Sequence, residues 1–214
     1  MTTMTTKVRK LRLNRSEQRQ SRTSELLDAA WELFCERGYD AITIDQVAEF
    51  AGYSRKPVYT LFGDKQTLFF ELWARMFLEL IDSVQVVFEP GATLRANLKR
   101  TADLGAERGR QGAILQDRGL FFVVQTIALG REDLAARAKK MHETVLDQLA
   151  AAIKASRLEG KDRLRGKPEE IAAHLIAHIN GLSLLHFQTG KNYMKADDLL
   201  DLFVCMSITS KPAR

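Results

Sequence analysis

Apolar residues recur at intervals of three and four along almost the whole chain. Leu26, Leu27, Ala30, Leu33 and Phe34 form the first such stripe, the spacing that lines one face of a helix. It predicts a helix from Ser16 or Glu17 to Arg37, stopped at Gly38 because glycine accepts the backbone that follows a helix end. Thr43, with Gln46 three residues on, spells a capping box for a short helix that buries Val47, Ala48 and Ala51 and ends at Gly52. Ser54 stands where the next helix needs its cap. Pro57 is then the third helical residue, inside the first turn, where its missing N–H breaks no intrahelical bond. Val58, Leu61 and Phe62 supply the apolar side, Gly63 closes the helix, and Asp64 caps a long one from Lys65 to about Phe88.

Beyond "EPG" at 89–91, the same periodicity predicts helices over 93–107, 113–129, 132–158, 168–188 and 196–209, with a charged loop at 159–168. "GLFFVV" at 119–124 has strand composition but lies between helical patterns and is read as helix. The expected fold class is therefore all-α: an N-terminal three-helix domain over 1–64, joined by the long helix to a C-terminal helical domain over 65–214.

Charge changes this picture only at the N-terminus. The net charge is +5 over 214 residues. Residues 1–22 hold seven basic side chains, Arg12 and Arg15 among them, against Glu17 alone, so the remainder is nearly neutral. Such a basic arm suits an anionic surface. Cys35 and Cys205 sit inside apolar helical patterns, which predicts buried free thiols in a reducing compartment. No apolar signal segment occurs in residues 1–22. Residues 171–190 lack Asp, Glu, Lys and Arg but carry three histidines, Asn180 and Gln188, a pattern read as a buried helix of a soluble, cytoplasmic protein rather than a membrane span.

The stretch "AGYSRKPVYTLFGDK" at 51–65 poses an electrostatic question. Arg55 and Lys56 occupy the positive end of a helix, where cations are unfavourable unless an anion docks there. Two short helices joined at Gly52 make a helix-turn-helix, whose second helix fits the DNA major groove with its N-terminal residues toward base edges. A small helical corner with solvated charges has the same spacing.

The segment "LLDAAWELFCERGYDAITIDQVAEFAGYSRKPVYTLFGDKQTLF" resembles the DNA-binding domain of the tetracycline-repressor (TetR) family of bacterial regulators, over about a fifth of the chain. The likeness rests on Leu27, Ala29, Ala30, Leu33, Phe34, Gly38, Tyr39, Thr43, Ile44, Val47, Ala48, Ala51, Gly52, Ser54, Val58, Tyr59, Phe62, Lys65 and Leu68. It implies that Thr43, Tyr59 and Lys65 contact DNA phosphates, and that Tyr53, Ser54, Arg55, Lys56, Pro57 and Thr60 complete the DNA-facing set. Tyr53 stands where the family has a small aliphatic residue, Lys56–Pro57 replace a Gly-Thr-like pair, and Thr60 replaces an aromatic or His, so the base preference does not carry over.

The C-terminal domain carries two further expectations. The helix from Pro168 is apolar on two sides, and the last helix behaves likewise. In a small domain the second side meets a partner, which resembles TetR-family dimerisation through Ile176, Asn180, Gly181, Leu184, Phe203 and Met206. Trp73, Phe77, Phe121, Phe122, Met141 and Phe187 are either ordinary core or the lining of an apolar effector cavity; the resemblance implies the cavity. His174 and His178 share a helix face, but no third ligand stands beside them and packing is the expected role. No metal or cofactor is expected, and no glycine-rich phosphate loop, nucleophile elbow or zinc-hydrolase motif points to an enzyme. The expectation is a homodimeric repressor, released from a palindromic double-stranded operator by a small apolar effector. The alternative is an architectural or partner-regulated DNA-binding protein with a filled C-terminal core.

Overall fold

The computed structural model describes residues 14–110, 123–124 and 126–210, with side chains at all of these except 80–85 and 108. Two compact units result, one ending at Leu68 and the other beginning at Phe69. Arg12, Phe121 and Phe122 lie outside the described residues, as does most of the helix expected over 113–129.

The first unit holds α1 (Arg15–Arg37), α2 (Ile44–Phe50), α3 (Arg55–Phe62) and the start of α4 (Lys65–Val87). Helix α1 begins before Ser16 because Asn14 caps it. The Asn14 side chain accepts from the Glu17 amide (2.9 Å), while the Glu17 carboxylate accepts from the Asn14 amide (2.7 Å). Thr43 and Gln46 make the same reciprocal pair at α2; each such cap is worth about 1 kcal/mol. The buried faces of the three helices meet in one core of Leu26, Ala30, Leu33, Phe34, Ile42, Val47, Ala48, Val58 and Phe62.

Helix α4 continues unbroken into the second unit, which adds α5 (Leu94–Arg110), α6 (Glu132–Ala155), α7 (Pro168–Thr189) and α8 (Ala196–Ser207). Residues 123–124 and 126–130 are also helical. Helix α8 packs along α5, and α7 along α6. Phe203, Leu98, Ile153, Ile171 and Leu175 sit in the centre of this core.

Several expectations need correction here. Helix α6 ends at Ala155 rather than Leu158, because Arg157 turns away to bridge Thr93, its amide donating to Ala92 and its carbonyl accepting from Leu94. The charged loop contains a short strand, β1 (Arg163–Leu164), paired antiparallel with β2 (Ile208–Thr209), so the last helix stops at Ser207. Asp162 anchors this corner by accepting from Arg95 Nε at 2.7 Å and Ser210 Oγ at 2.7 Å. Both pairings join residues distant in sequence and leave no periodic signature.

Cys35 and Cys205 form no disulfide but are exposed, one and two positions past the buried Phe34 and Phe203, and so turned out of the apolar stripe. Phe203 is 0% exposed within its own unit and has no surface to offer a partner. Phe187, placed with a cavity, is 44% exposed. Among the described residues no helix is long and apolar enough to cross a membrane.

Candidate nucleic-acid interface

The turn between α2 and α3 depends on Gly52, at φ +75°, where a side chain is strained. Tyr53 follows, its amide donating to Ala48 O (2.8 Å). Its phenol donates to Glu25 Oε2 on α1 (2.6 Å), with the Arg22 guanidinium 5.6 Å from the ring centre. Tyr53 therefore ties the turn to α1 rather than reaching outward. The same hydrogen bond, with a second from Ser21, holds the Glu25 carboxyl below the usual carboxylate range. It also pushes the Tyr53 phenol up.

Helix α3 presents Ser54, Arg55, Lys56, Tyr59 and Thr60 as exposed residues. Ser54 occupies the N-cap position, but its hydroxyl caps no amide, contrary to expectation, and stays available to an external group. Pro57 is the third residue of the helix, as the sequence implied. Thr60 Oγ1 donates back to Lys56 O (2.8 Å). Tyr59 is 46% exposed, and partial burial together with the Asp45 carboxylate pushes its phenol up. The phenol thus stays protonated and can donate a hydrogen bond from the surface.

Two cations at this face are already engaged. Arg55 Nη1 lies 3.2 Å from Asp45 Oδ2 on α2, so an acid on the neighbouring helix offsets its unfavourable place at a positive helix end. Lys65 Nζ donates to the carbonyls of Tyr39 (2.9 Å) and Ile42 (2.8 Å) and sits 4.2 Å from the Tyr39 ring centre. Two of its three N–H groups thus hold the α1–α2 loop, leaving one.

The sequence reading assigned Arg19 and Arg22 only to a basic arm. Helix α1 begins at Arg15, so Arg15, Arg19 and Arg22 fall at i, i+4 and i+7 on one face of an ordered helix. Arg19 and Arg22 already lie within the helix expected from Ser16 or Glu17; the earlier start at Arg15 adds the third cation to that face.

The second unit holds the other candidate residues. Trp73 and Phe77 are buried with ring centres 4.8 Å apart, and each meets His142, at 5.8 Å and 4.8 Å. Met141, the neighbour of His142, is half-buried. Ile176, Asn180, Leu184 and Met206 are half-buried and Gly181 is exposed. His178 Nδ1 lies 2.8 Å from His174 O, and both rings are on the surface. His186, on the apolar side of the helix with Ile171, Leu175, Ile179 and Leu182 in the sequence pattern, is 5% exposed, and neither ring nitrogen has a partner.

Residues 26–72 match the model of bacterial regulatory proteins of the tetR family. The HTH-type transcriptional regulator YhgD of Bacillus subtilis is 32% identical over 75 residues, 35% of this chain and 39% of YhgD. The activator FasR of Mycolicibacterium smegmatis is 31% identical over 85 residues, 40% of this chain and 39% of FasR. The match thus spans about two fifths of the length of these curated relatives. A protein of Saccharomonospora viridis, solved in complex with choline, shares the fold with TM-score 0.69 at 21% identity, over 89% of this chain and 99% of that one. The match over residues 26–72 and the all-α architecture shared along the chain together support a TetR-family regulator.

Proposed function

We propose that the chain is a homodimeric transcriptional repressor that occupies a two-fold symmetric DNA site and leaves it when a small, largely apolar ligand binds the second unit. The observation that carries this reading is the exposed face of α3, where Ser54, Lys56, Tyr59 and Thr60 project from a helix fixed by Gly52, Tyr53 and Asp45. Helix N-terminal residues of this kind meet base edges and phosphates.

Dimerisation is supported by the outer side of α7. Ala173, Ile176, Ala177, Gly181, Leu184 and Leu185 are half-buried or exposed there, beside Leu202 and Met206 of α8. A Cβ added at Gly181 meets nothing within 4 Å, so the chain's own packing does not require the glycine. Glycine within a helix costs about 1 kcal/mol against alanine. Close approach of a partner helix supplies the reason for it.

The ligand reading is supported by the aromatic group of Trp73, Phe77 and His142 and by His186. A buried imidazole without a hydrogen bond costs free energy, and a ligand bearing one polar group on an apolar body removes that cost. Trp73 and Phe77 belong to the same continuous helix as Lys65, which gives ligand binding a covalent route to the first unit. The choline bound by the Saccharomonospora viridis protein makes small organic cations the first class to screen.

The test is selection of bound duplexes from a random pool by the full chain. A palindrome with half-site centres about 34–36 Å apart, or a multiple of that, is expected. Recovery of unrelated sequences, or of a single half-site, contradicts the reading.

A further inference from the structure

Helices α1 and α3 enclose a groove of about 520 Å³ on the first unit, lined by Arg15, Gln18, Arg19, Arg22, Ser54, Lys56, Pro57, Thr60 and Leu61. Four of these nine residues are basic and none is acidic. Unlike Arg55 and Lys65, the side chains of Arg15, Arg19 and Lys56 have no carboxylate or carbonyl partner. Arg22 lies over the Tyr53 ring, and its Nε is buried without a hydrogen bond. Three unpaired cations and one orphaned guanidinium nitrogen thus converge on one concave surface. An uncompensated cluster of this kind is self-repelling and is relieved by an anion.

We propose that this groove is the main phosphate-binding site of the first unit, holding one strand of the DNA backbone between α1 and α3. The inference rests on the DNA-binding reading and adds which residues carry its electrostatic part. The groove and the exposed face of α3 share Ser54, Lys56 and Thr60, so a duplex on that face brings a strand to the groove. Arg15, Arg19 and Arg22 spread over about 10 Å of α1 at 1.5 Å per residue, enough to meet more than one phosphate. Lys65, the residue that the family pattern puts on a phosphate, acts chiefly as a brace for the α1–α2 loop.

The experiment measures anisotropy of a fluorescein-labelled 30-bp duplex of random sequence, titrated with the full chain across a salt series. Random sequence isolates the phosphate contribution. The triple variant Arg15→Gln, Arg19→Gln, Lys56→Gln changes only exposed side chains, and circular dichroism verifies its fold. Its slope of log affinity against log salt should fall by about 2–3, at roughly 0.9 per lost phosphate contact. The charge-preserving triple Arg15→Lys, Arg19→Lys, Lys56→Arg should keep the parent slope. Lys65→Gln should lower the melting temperature while changing the slope by less than half as much as the first triple. A parent-like slope in that triple, or an equal loss in Lys65→Gln, overturns the groove and leaves the DNA-binding reading standing. Failure of the parent itself to bind at low salt overturns both.

Discussion

The two units differ in the polar groups they leave without a partner. In the first, the buried set is almost wholly apolar, α1 and α2 are capped, and the unmatched cations line an open groove. In the second, one end is a finished core around Phe203, with its edges held by Asn97 and Asp162, while His186 stays buried with two unpartnered nitrogens. Unpaired cations gather on the surface of the first unit, although Arg22 Nε and Asp45 Oδ1 are buried without partners there, whereas the second unit buries a whole unpartnered imidazole. An outward cationic cluster suits a polyanion too large to be enclosed; an inward orphan suits a molecule small enough to be swallowed. The proposed DNA site and the proposed ligand site thus differ in chemistry.

The substitution expected to disturb this arrangement most is Gly181→Arg. It adds a long cation to the apolar outer side of α7, where burial against a partner without a counter-charge is costly. A monomer should result, and loss of two-point attachment should weaken specific DNA binding by about 10²–10⁴-fold, read by sedimentation and anisotropy. A dimer of parental affinity moves the interface off α7.

Next comes His186→Leu. If the imidazole is an orphan, removing it should leave stability unchanged or raise it by up to about 1–3 kcal/mol, and ligand response should vanish. Chemical denaturation decides the first point. A loss of stability would mean that the ring has a partner, and the contrast between the units would weaken.

Arg55→Ala sharpens the outward side. It should relax preference at particular base pairs, at about 1–3 kcal/mol there, while affinity for random duplexes changes little. Equal loss on both kinds of DNA would make Arg55 a backbone contact.

The smallest effect concerns pH. The Arg95 guanidinium and then the Ser210 hydroxyl hold the Asp162 carboxyl below the usual carboxylate range. Its contribution is therefore complete above the unfolded carboxylate pKa of about 3.9 and is lost as pH falls through the lower folded value. Asp162→Asn should lower the melting temperature at pH 7 and flatten its dependence on pH at the acid end. An acid profile identical to the parent's would remove Asp162 from the account.

The sequence showed the first unit more fully than the second, for a physical reason. Caps, a turn glycine and an apolar stripe are local, so Thr43, Gly52 and Val58 could be assigned from neighbours alone. The pairings of Arg163–Leu164 with Ile208–Thr209 and of Arg95 with Asp162 join residues far apart in the chain. The same holds for Tyr53 with Glu25, which turned a candidate DNA contact into an internal tie. Engagement of side chains was equally hidden: Lys65 reads as a free cation until the carbonyls of Tyr39 and Ile42 stand beside it. Apolar periodicity marked both sides of α7 but could not tell which of Phe203 and Met206 reaches the surface. That depends on the angle at which α8 meets α5.

The most direct test of the division of labour is hydrogen exchange of the full chain with and without a 30-bp duplex at low salt. Slower exchange confined to residues 15–22 and 54–60, with 168–189 and 196–207 unchanged, is the predicted result. Protection centred on α7 and α8, or none in α1 and α3, would contradict the claim that DNA meets this protein at the outward-facing cations of its first unit.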